Sequence, residues 1–446
     1  MGTQRRRILA LALPASLEMG FQMLLGVVDL VMIGHLGDAA VGGVGLVNTM
    51  VGLSLLALGT VGAGGAVLVA QWFGAGDHPR VARYVGQMMG VGLAAGIAVG
   101  ALFGAGGAEL LALLGADAAT ARAGGTYLSI VGAAFPLALL SVLAGECLRA
   151  MGDARTPLRA GVGALAANTV LNALPIFGPG PFPAWGVEGA ALATVLARAA
   201  GALYLLHRLA RGRADVRPGA ADLRPDRARL RELAAVAWPV TVGETLWVGG
   251  TFAYTVLYTR LGPAELVASQ VMGSLELVFI MTAFGLGTAA VALVGQELGA
   301  GRVAAARRAG AEILRLGLWL SAACAVLLAA VPAALPWLYP KLDPAAAALA
   351  RDGLLVAAAF LPVRIVNMIF GNGILRGGGD AAYVMRVDGI VMYAVGVPVA
   401  LLGVALGYGF LGVLAGRLAE EAARLALLLL RWRGDAWARV LTAPAG

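Results

Sequence analysis

The chain carries the same marks twice. Gln71-Trp-Phe-Gly-Ala-Gly76 returns as Gln296-Glu-Leu-Gly-Ala-Gly301, and Pro14 and Leu36-Gly37 return as Pro239 and Leu261-Gly262, all at an offset of 225 residues. Leu148-Arg-Ala-Met-Gly-Asp153 recurs as Leu375-Arg-Gly-Gly-Gly-Asp380 at 227, and Gly186 and Arg198 have counterparts in Gly412 and Arg424 at 226. Separate matches that agree within two residues of one offset mean two homologous halves in tandem. A single long charged linker, from Arg208 to Glu232 and holding Pro218 and Pro225, falls where the halves should join. The expected organisation is therefore a first bundle over 1–210, a linker over 211–231 and a second bundle over 232–446.

The halves are written for lipid. Hydrophobic residues make up 60% of the chain, charged residues 13%, and the mean hydropathy is +0.85. That leaves too little polar surface to keep a soluble protein dispersed. Apolar runs of the length that crosses a bilayer recur twelve times, near 8–36, 40–70, 85–104, 126–148, 160–178, 187–207, 233–260, 266–295, 309–334, 347–374, 383–405 and 408–430. The fold class expected is an all-α polytopic membrane protein, twelve transmembrane helices in two pseudo-symmetric six-helix bundles, with a transport pathway between the halves. The first run follows Arg5-Arg6-Arg7 as in a signal peptide, but it is longer and matches an internal segment near 239, so it reads as part of the mature protein.

The net charge of +8 raises nucleic-acid binding, and its distribution removes it. With the N-terminus inside, inward connections hold 25 arginines, eight of them between Arg208 and Arg231, while outward ones hold only Arg122, Arg260, Lys341 and Arg351. This is the positive-inside signature of a cytoplasmic (inner) membrane protein with both termini cytoplasmic. Cys147 and Cys324 lie in different halves without metal-ligand spacing, and the three histidines sit near helix ends, so neither a disulfide framework nor a zinc or haem cofactor is expected. Gly92, Gly96, Gly100 and Gly104 form a small-residue stripe for close helix packing; without a preceding strand they are no dinucleotide fingerprint.

Ionisable groups inside apolar helices are costly and become functional candidates by default. In the first helix Glu18, Gln22 and Asp29 fall on one polar stripe, Glu18 and Asp29 being eleven residues apart, about three turns. Asn168 and Asn172 share a face of the fifth helix and read equally as ion ligands or as helix glue. The seventh helix carries Glu244 with Thr251, Thr255 and, less closely, Tyr258 on its face, while Trp247, Phe252 and Tyr254 occupy other sides. A carboxylate near aromatics suits an organic cation. The position of Tyr258 also fits an interfacial aromatic belt. Gln270 and Glu276 in the eighth helix and Arg364 and Asn367 in the tenth extend the polar set, and Glu276 and Arg364 would neutralise one another if their helices touch. Arg417/Glu421 and Glu420/Arg424 read as structural pairs on the twelfth helix. Arg149/Asp153 and Arg376/Asp380 read as clamps holding loops to helix ends. No nucleophile–base set and no P-loop occurs, so the chain is not read as an enzyme, and uphill transport must draw on an ion gradient.

With these residues in view the chain resembles the multidrug and toxic compound extrusion (MATE) family. The resemblance rests on Gly26-Val-Val-Asp29-Leu-Val-Met-Ile-Gly-His-Leu-Gly37, Gln71 to Gly76, Leu148 to Asp153, Asn168-Thr-Val-Leu-Asn172 and Gly186 to Thr194. In the second half it rests on Ala268-Ser-Gln270 with Glu276, Gln296 to Gly301 and Leu375 to Asp380. It implies two six-helix bundles forming a V-shaped cleft, and antiport of small organic, often cationic, drug-like compounds against H⁺ or Na⁺. It implies no cofactor beyond that coupling cation and no partners beyond substrate and membrane lipids, in a chain expected to be monomeric. Asp29 matches the acidic first-helix position tied to ion coupling, with Asn168 and Asn172 around it. The coupling-ion set is thus Asp29, Glu18, Gln22, Asn168 and Asn172, with Asp29 the metal ligand if Na⁺ is the ion; the substrate set is Glu244, Trp247, Tyr254, Gln270 and Glu276. The aspartates that some members place on the fifth and tenth helices are absent. The alternative in the same architecture is a lipid or lipid-linked oligosaccharide flippase, which favours a basic cavity: Arg364 fits it, while Glu18, Asp29 and Glu244 oppose it.

Overall fold

A computed structural model of the chain describes residues 2–177, 185–212 and 216–442. Arg213, counted in the linker, and Gly178, at the end of the fifth apolar run, lie outside the described residues. Among those described, the regular structure is helical, with no strand. In lipid that is the expected answer, because a helix satisfies its backbone groups within one segment.

Among the described residues twelve helical spans follow one another. In the first half they are α1 (Gly2–Ile33), α2 (Asp38–Gly74), α3 (His78–Leu113), α4 (Ala118–Ala133 continued by Phe135–Ala150), α5 (Arg155–Phe177) and α6 (Gly186–Ala210). In the second they are α7 (Arg227–Leu261), α8 (Pro263–Thr282 continued by Phe284–Gly299), α9 (Val303–Ala330), α10 (Pro344–Met368 with a π-helical stretch Ile369–Leu375), α11 (Ala381–Ile390 to Val397–Ala405) and α12 (Gly409–Arg433). Eight are long and apolar enough to cross a membrane, and α4, bent by 55° between its two parts, makes a ninth. The other three, α5, α7 and α12, have 23, 35 and 25 residues, and α12 carries Arg417, Glu420, Glu421 and Arg424 along its middle.

The repeated motifs are turn chemistry. Gly76 and Gly301 close the two copies of the Gly-Ala-Gly turn at φ 78° and 72°, and Gly152 and Gly379 close the Leu-Arg motifs at 85° and 80°. A side chain there would be strained, so both copies keep glycine. Helix starts are capped in the loops: Asp117 accepts from the amides of Ala119 and Thr120 ahead of α4, and the Thr120 hydroxyl helps hold its carboxyl below the usual range. The small-residue stripe does what its spacing predicts at three of four places. A Cβ on Gly92, Gly96 or Gly100 would strike Leu143, Pro136 or the carbonyl of Gly132, all on α4, whereas Gly104 faces open space.

The chain forms two compact units, Leu17–Ala237 and Met1–Ser16 with Trp238–Gly446. These differ from the expected boundaries, because the first turns of α1 belong to the C-terminal unit and the linker with the start of α7 belongs to the N-terminal one. The change of unit falls next to Pro14 in α1 and Pro239 in α7, the repeated in-helix prolines, where the backbone bonding of a helix is interrupted. Contacts follow: Arg5 pairs with Glu312 and the carbonyl of Ala12 abuts Gly285 in the C-terminal unit. In the N-terminal unit Tyr84 donates to Glu232, and Gln87 donates to the carbonyls of Asp222 and Arg224, both at 2.7 Å, and accepts from the amide of Asp226. The charged linker is therefore docked on α3.

After α12 the chain folds back on the C-terminal unit. Trp437 is fully buried and stacks on Trp432 at 4.5 Å, with the Arg307 guanidinium beside both rings. The Arg439 amide donates to Gly378, and Arg431 and Arg439 both pair with Asp380. A Cβ on Gly378 would meet Trp437, and one on Gly377 would meet Val291, which explains why this copy of the motif reads Gly-Gly-Gly where the first reads Ala-Met-Gly. Trp437→Ala is expected to cost about 3–5 kcal/mol, measured as a lower thermal midpoint of the purified protein, with Trp437→Phe retaining most of the stability.

Candidate functional site

The N-terminal unit divides the five residues of the expected ion site into two groups. Asp29, 3% exposed, accepts from the Asn172 amide at 2.6 Å. The same amide donates to Asn168 Oδ1 at 3.0 Å, and Asn168 in turn donates to the Thr194 hydroxyl at 3.3 Å, which also receives Tyr127. Each amide is thereby oriented by the next, and among the described residues the other end of the Asn172 amide, its buried Oδ1, has no partner. A carboxylate next to an unpartnered carbonyl oxygen is an acceptor pair that can take a cation. Arg198 on α6 acts on Asp29 through space, but among the described residues Asp29 makes no ion pair. Thr194 and Tyr127 were not expected in this group: single hydroxyls in apolar helices carry no sequence signal beyond their polarity.

Glu18 belongs to a different cluster. It lies about 16 Å of helix rise from Asp29, and the Arg149 guanidinium grips both its oxygens at 2.8 and 3.0 Å while holding Glu146 at 2.9 Å. Gln22 is exposed and only reaches Glu18, at 3.4 Å. One stripe on a helix thus serves two sites, because neighbouring helices supply different partners along its length.

The repeat reproduces the second of these. Glu244 on α7 receives Arg376 at 3.0 and 3.1 Å, and Glu244 and Arg376 stand to Glu18 and Arg149 at offsets of 226 and 227. The arginines of the two Leu-Arg motifs therefore reach into their units toward α1 and α7, which the clamp reading missed. Their aspartates serve elsewhere, Asp153 on Thr156 at the start of α5 and Asp380 on Arg431 and Arg439.

Glu244, held by Arg376, is not among the residues that line the cavity of the C-terminal unit. That cavity, about 270 Å³, is walled by Trp247, Tyr254 and Tyr258 of α7, Gln270, Gly273 and Glu276 of α8, Phe360 and Arg364 of α10, and Arg417, Glu420 and Glu421 of α12. Four of the five expected substrate residues thus meet at one place. Tyr258, whose position also fits an interfacial belt, is buried. Glu276 pairs with Arg364, as anticipated, and with Arg417 at 3.3 Å; Arg364 also reaches Glu421 at 3.3 Å, and Asn367 donates to Glu421 at 2.7 Å. Arg424 holds Glu420 at 3.1 Å and Asp388 of α11 at 3.2 Å, and Tyr254 donates to Glu420 at 2.8 Å. Of the two α12 pairs expected, Glu420/Arg424 forms, whereas Arg417 turns to Glu276. The sequence signal for this network was four charges within eight residues of an apolar helix, more than surface pairing needs.

Glu244→Gln removes the charge that Arg376 pairs with. We expect a loss of about 2 kcal/mol of stability and an equal fall in export of cationic and neutral compounds, measured by thermal unfolding and by paired uptake assays.

A helical membrane protein of two repeat-related units, each enclosing buried carboxylates and guanidiniums, is the architecture of a secondary transporter. Comparison with known proteins names the family. A family model described as MatE matches residues 14–174 and 239–402. Multidrug resistance protein NorM of Burkholderia vietnamiensis is 32% identical over 437 residues, covering 95% of this chain and 92% of that protein. The probable multidrug resistance protein NorM of Deinococcus radiodurans is 32% identical over 429 residues, covering 92% and 91%. A crystal structure of MATE in the bent conformation superposes with a TM-score of 0.88 at 20% identity, covering 97% of this chain and 96% of that one. The chain belongs to the MATE family of transporters.

Proposed function

We infer that this transporter exports small organic compounds, cationic ones above all, across the cytoplasmic membrane by antiport with H⁺ or Na⁺, both chain termini facing the cytoplasm. The multidrug resistance names of its relatives support the substrate class. The observation that carries the reading is the pairing of two sites of different character. In the N-terminal unit Asp29 offers a buried carboxylate beside the Asn172 amide, whose oxygen has no partner among the described residues, the place for a small cation. In the C-terminal unit the cavity has aromatic walls and a network of four carboxylates, Glu276, Asp388, Glu420 and Glu421, against three guanidiniums, Arg364, Arg417 and Arg424. One carboxylate in excess with aromatic faces nearby favours an organic cation over an anion or a lipid phosphate. The same excess weighs against a flippase, which needs a basic surface for its phosphates.

Antiport requires that ion and substrate favour opposite conformations, since a ligand with equal affinity for both shifts nothing. The test is export of a fluorescent organic cation from proteoliposomes under a pH gradient and a Na⁺ gradient imposed separately. Export driven by either gradient supports antiport; export indifferent to both, or preference for an anionic lipid analogue, removes it.

A further inference from the structure

We propose that the buried arginines select the coupling carboxylate: Arg149, Arg376, Arg364, Arg417 and Arg424 act as resident counter-cations that close every other intramembrane carboxylate they touch to the coupling cation, leaving Asp29 open. This rests on the coupling role inferred for Asp29 and adds the device that confines it there. Glu18 and Glu146 share Arg149; Glu244 has Arg376; Glu276 has Arg364 and Arg417; Glu420 and Asp388 have Arg424; Glu421 has Arg364. A guanidinium is always charged and fits a carboxylate edge-on, so a small cation gains nothing there unless it displaces a tethered competitor.

The repeat shows how the exception arises. Arg198 and Arg424 occupy equivalent places on α6 and α12, at an offset of 226. In α12 the residue one turn earlier is Glu420, and Arg424 captures it at 3.1 Å. In α6 the residue one turn earlier is Thr194, whose hydroxyl is taken by Asn168 and Tyr127. The carboxylate of the N-terminal unit sits instead on α1, as Asp29, where the second copy has Tyr254 or Thr255. There it meets an amide in place of a guanidinium, and among the described residues the other end of that amide, Asn172 Oδ1, has no partner. Moving the acid from one helix to another across the same helix pair takes it out of ion-pair reach.

The experiment is carbodiimide labelling of the full-length protein in liposomes, with adducts located by mass spectrometry. Dicyclohexylcarbodiimide forms stable N-acylureas with carboxyls in apolar surroundings, and a carboxylate whose oxygens are held by a guanidinium resists it. Asp29 should label at least about tenfold faster than Glu18, Glu244, Glu276, Asp388, Glu420 or Glu421, whose oxygens the guanidiniums already hold, the factor that about 1.4 kcal/mol of ion pairing supplies. In Arg149→Met, Glu18 should become reactive by about the same factor. Labelling of Glu276 or Glu420 at the rate of Asp29 overturns the proposal, as does an unreactive Glu18 in folded Arg149→Met. If that variant does not fold, the wild-type pattern decides alone. Labelling confined to Asp29 in a protein whose Asp29→Asn variant still exports on a gradient would retire the coupling role and keep the arginine assignment; labelling spread over many carboxylates with Asp29→Asn inactive would do the reverse.

Discussion

Asp29→Asn is expected to lower gradient-driven export by about 100-fold or more, because an uncharged amide removes the differential affinity through which an ion shifts the equilibrium. The substitution is nearly isosteric. Its remaining oxygen can still accept from the Asn172 amide, and no guanidinium is stranded, since Asp29 makes no ion pair among the described residues. The stability change should therefore stay near 1 kcal/mol, the scale of a single hydrogen bond. Binding of the organic cation to the purified variant should persist, because Asp29 stands in the unit that does not hold the aromatic cavity. Export at the wild-type rate by a well-expressed Asp29→Asn protein would remove the assignment. A substrate-induced pH change in vesicles free of Na⁺ then tells proton from sodium.

The contrast with Glu18 explains what the sequence could and could not disclose. Helical periodicity groups Glu18, Gln22 and Asp29 on one stripe of α1, but a periodicity says nothing about which neighbour faces each turn. Arg149 arrives from the end of α4, 131 positions from Glu18, and only the fold reveals it. The repeat offsets contained the symmetry of Glu18–Arg149 and Glu244–Arg376 in plain view, yet local spacing made Arg149/Asp153 and Arg376/Asp380 the more obvious pairs. The twelve spans and the helical class were legible because bilayer thickness and the backbone's need for hydrogen bonds leave few alternatives, and the family was legible in motifs such as Gln71 to Gly76 and Leu148 to Asp153. The cavity was partly legible. Trp247, Tyr254, Gln270 and Glu276 could be chosen as polar or aromatic residues in apolar helices, whereas Asp388 and the inward role of α12 depended on which helices touch.

Gly273→Trp should lower export of bulky organic cations at least about tenfold, the loss of roughly 1.4 kcal/mol or more of binding, without weakening the fold. Gly273 lines the cavity wall on α8, and a Cβ built there meets nothing within 4 Å, so a side chain has room to extend into the cavity. Replacing a mid-helix glycine also removes backbone freedom from the unfolded chain, which for a tryptophan favours the helix by about a few tenths of a kcal/mol. Stability and transport are thus expected to move in opposite directions, a combination that misfolding cannot produce. An indole would occupy a large share of a cavity of about 270 Å³ and lie against the faces of Tyr254 and Tyr258 that a cation would otherwise meet. Gly273→Ala, with one added methyl, should leave export of small cations close to that of the wild type and reduce only the largest. If Gly273→Trp exports every compound normally while remaining folded, the cavity of the C-terminal unit is not where substrate binds.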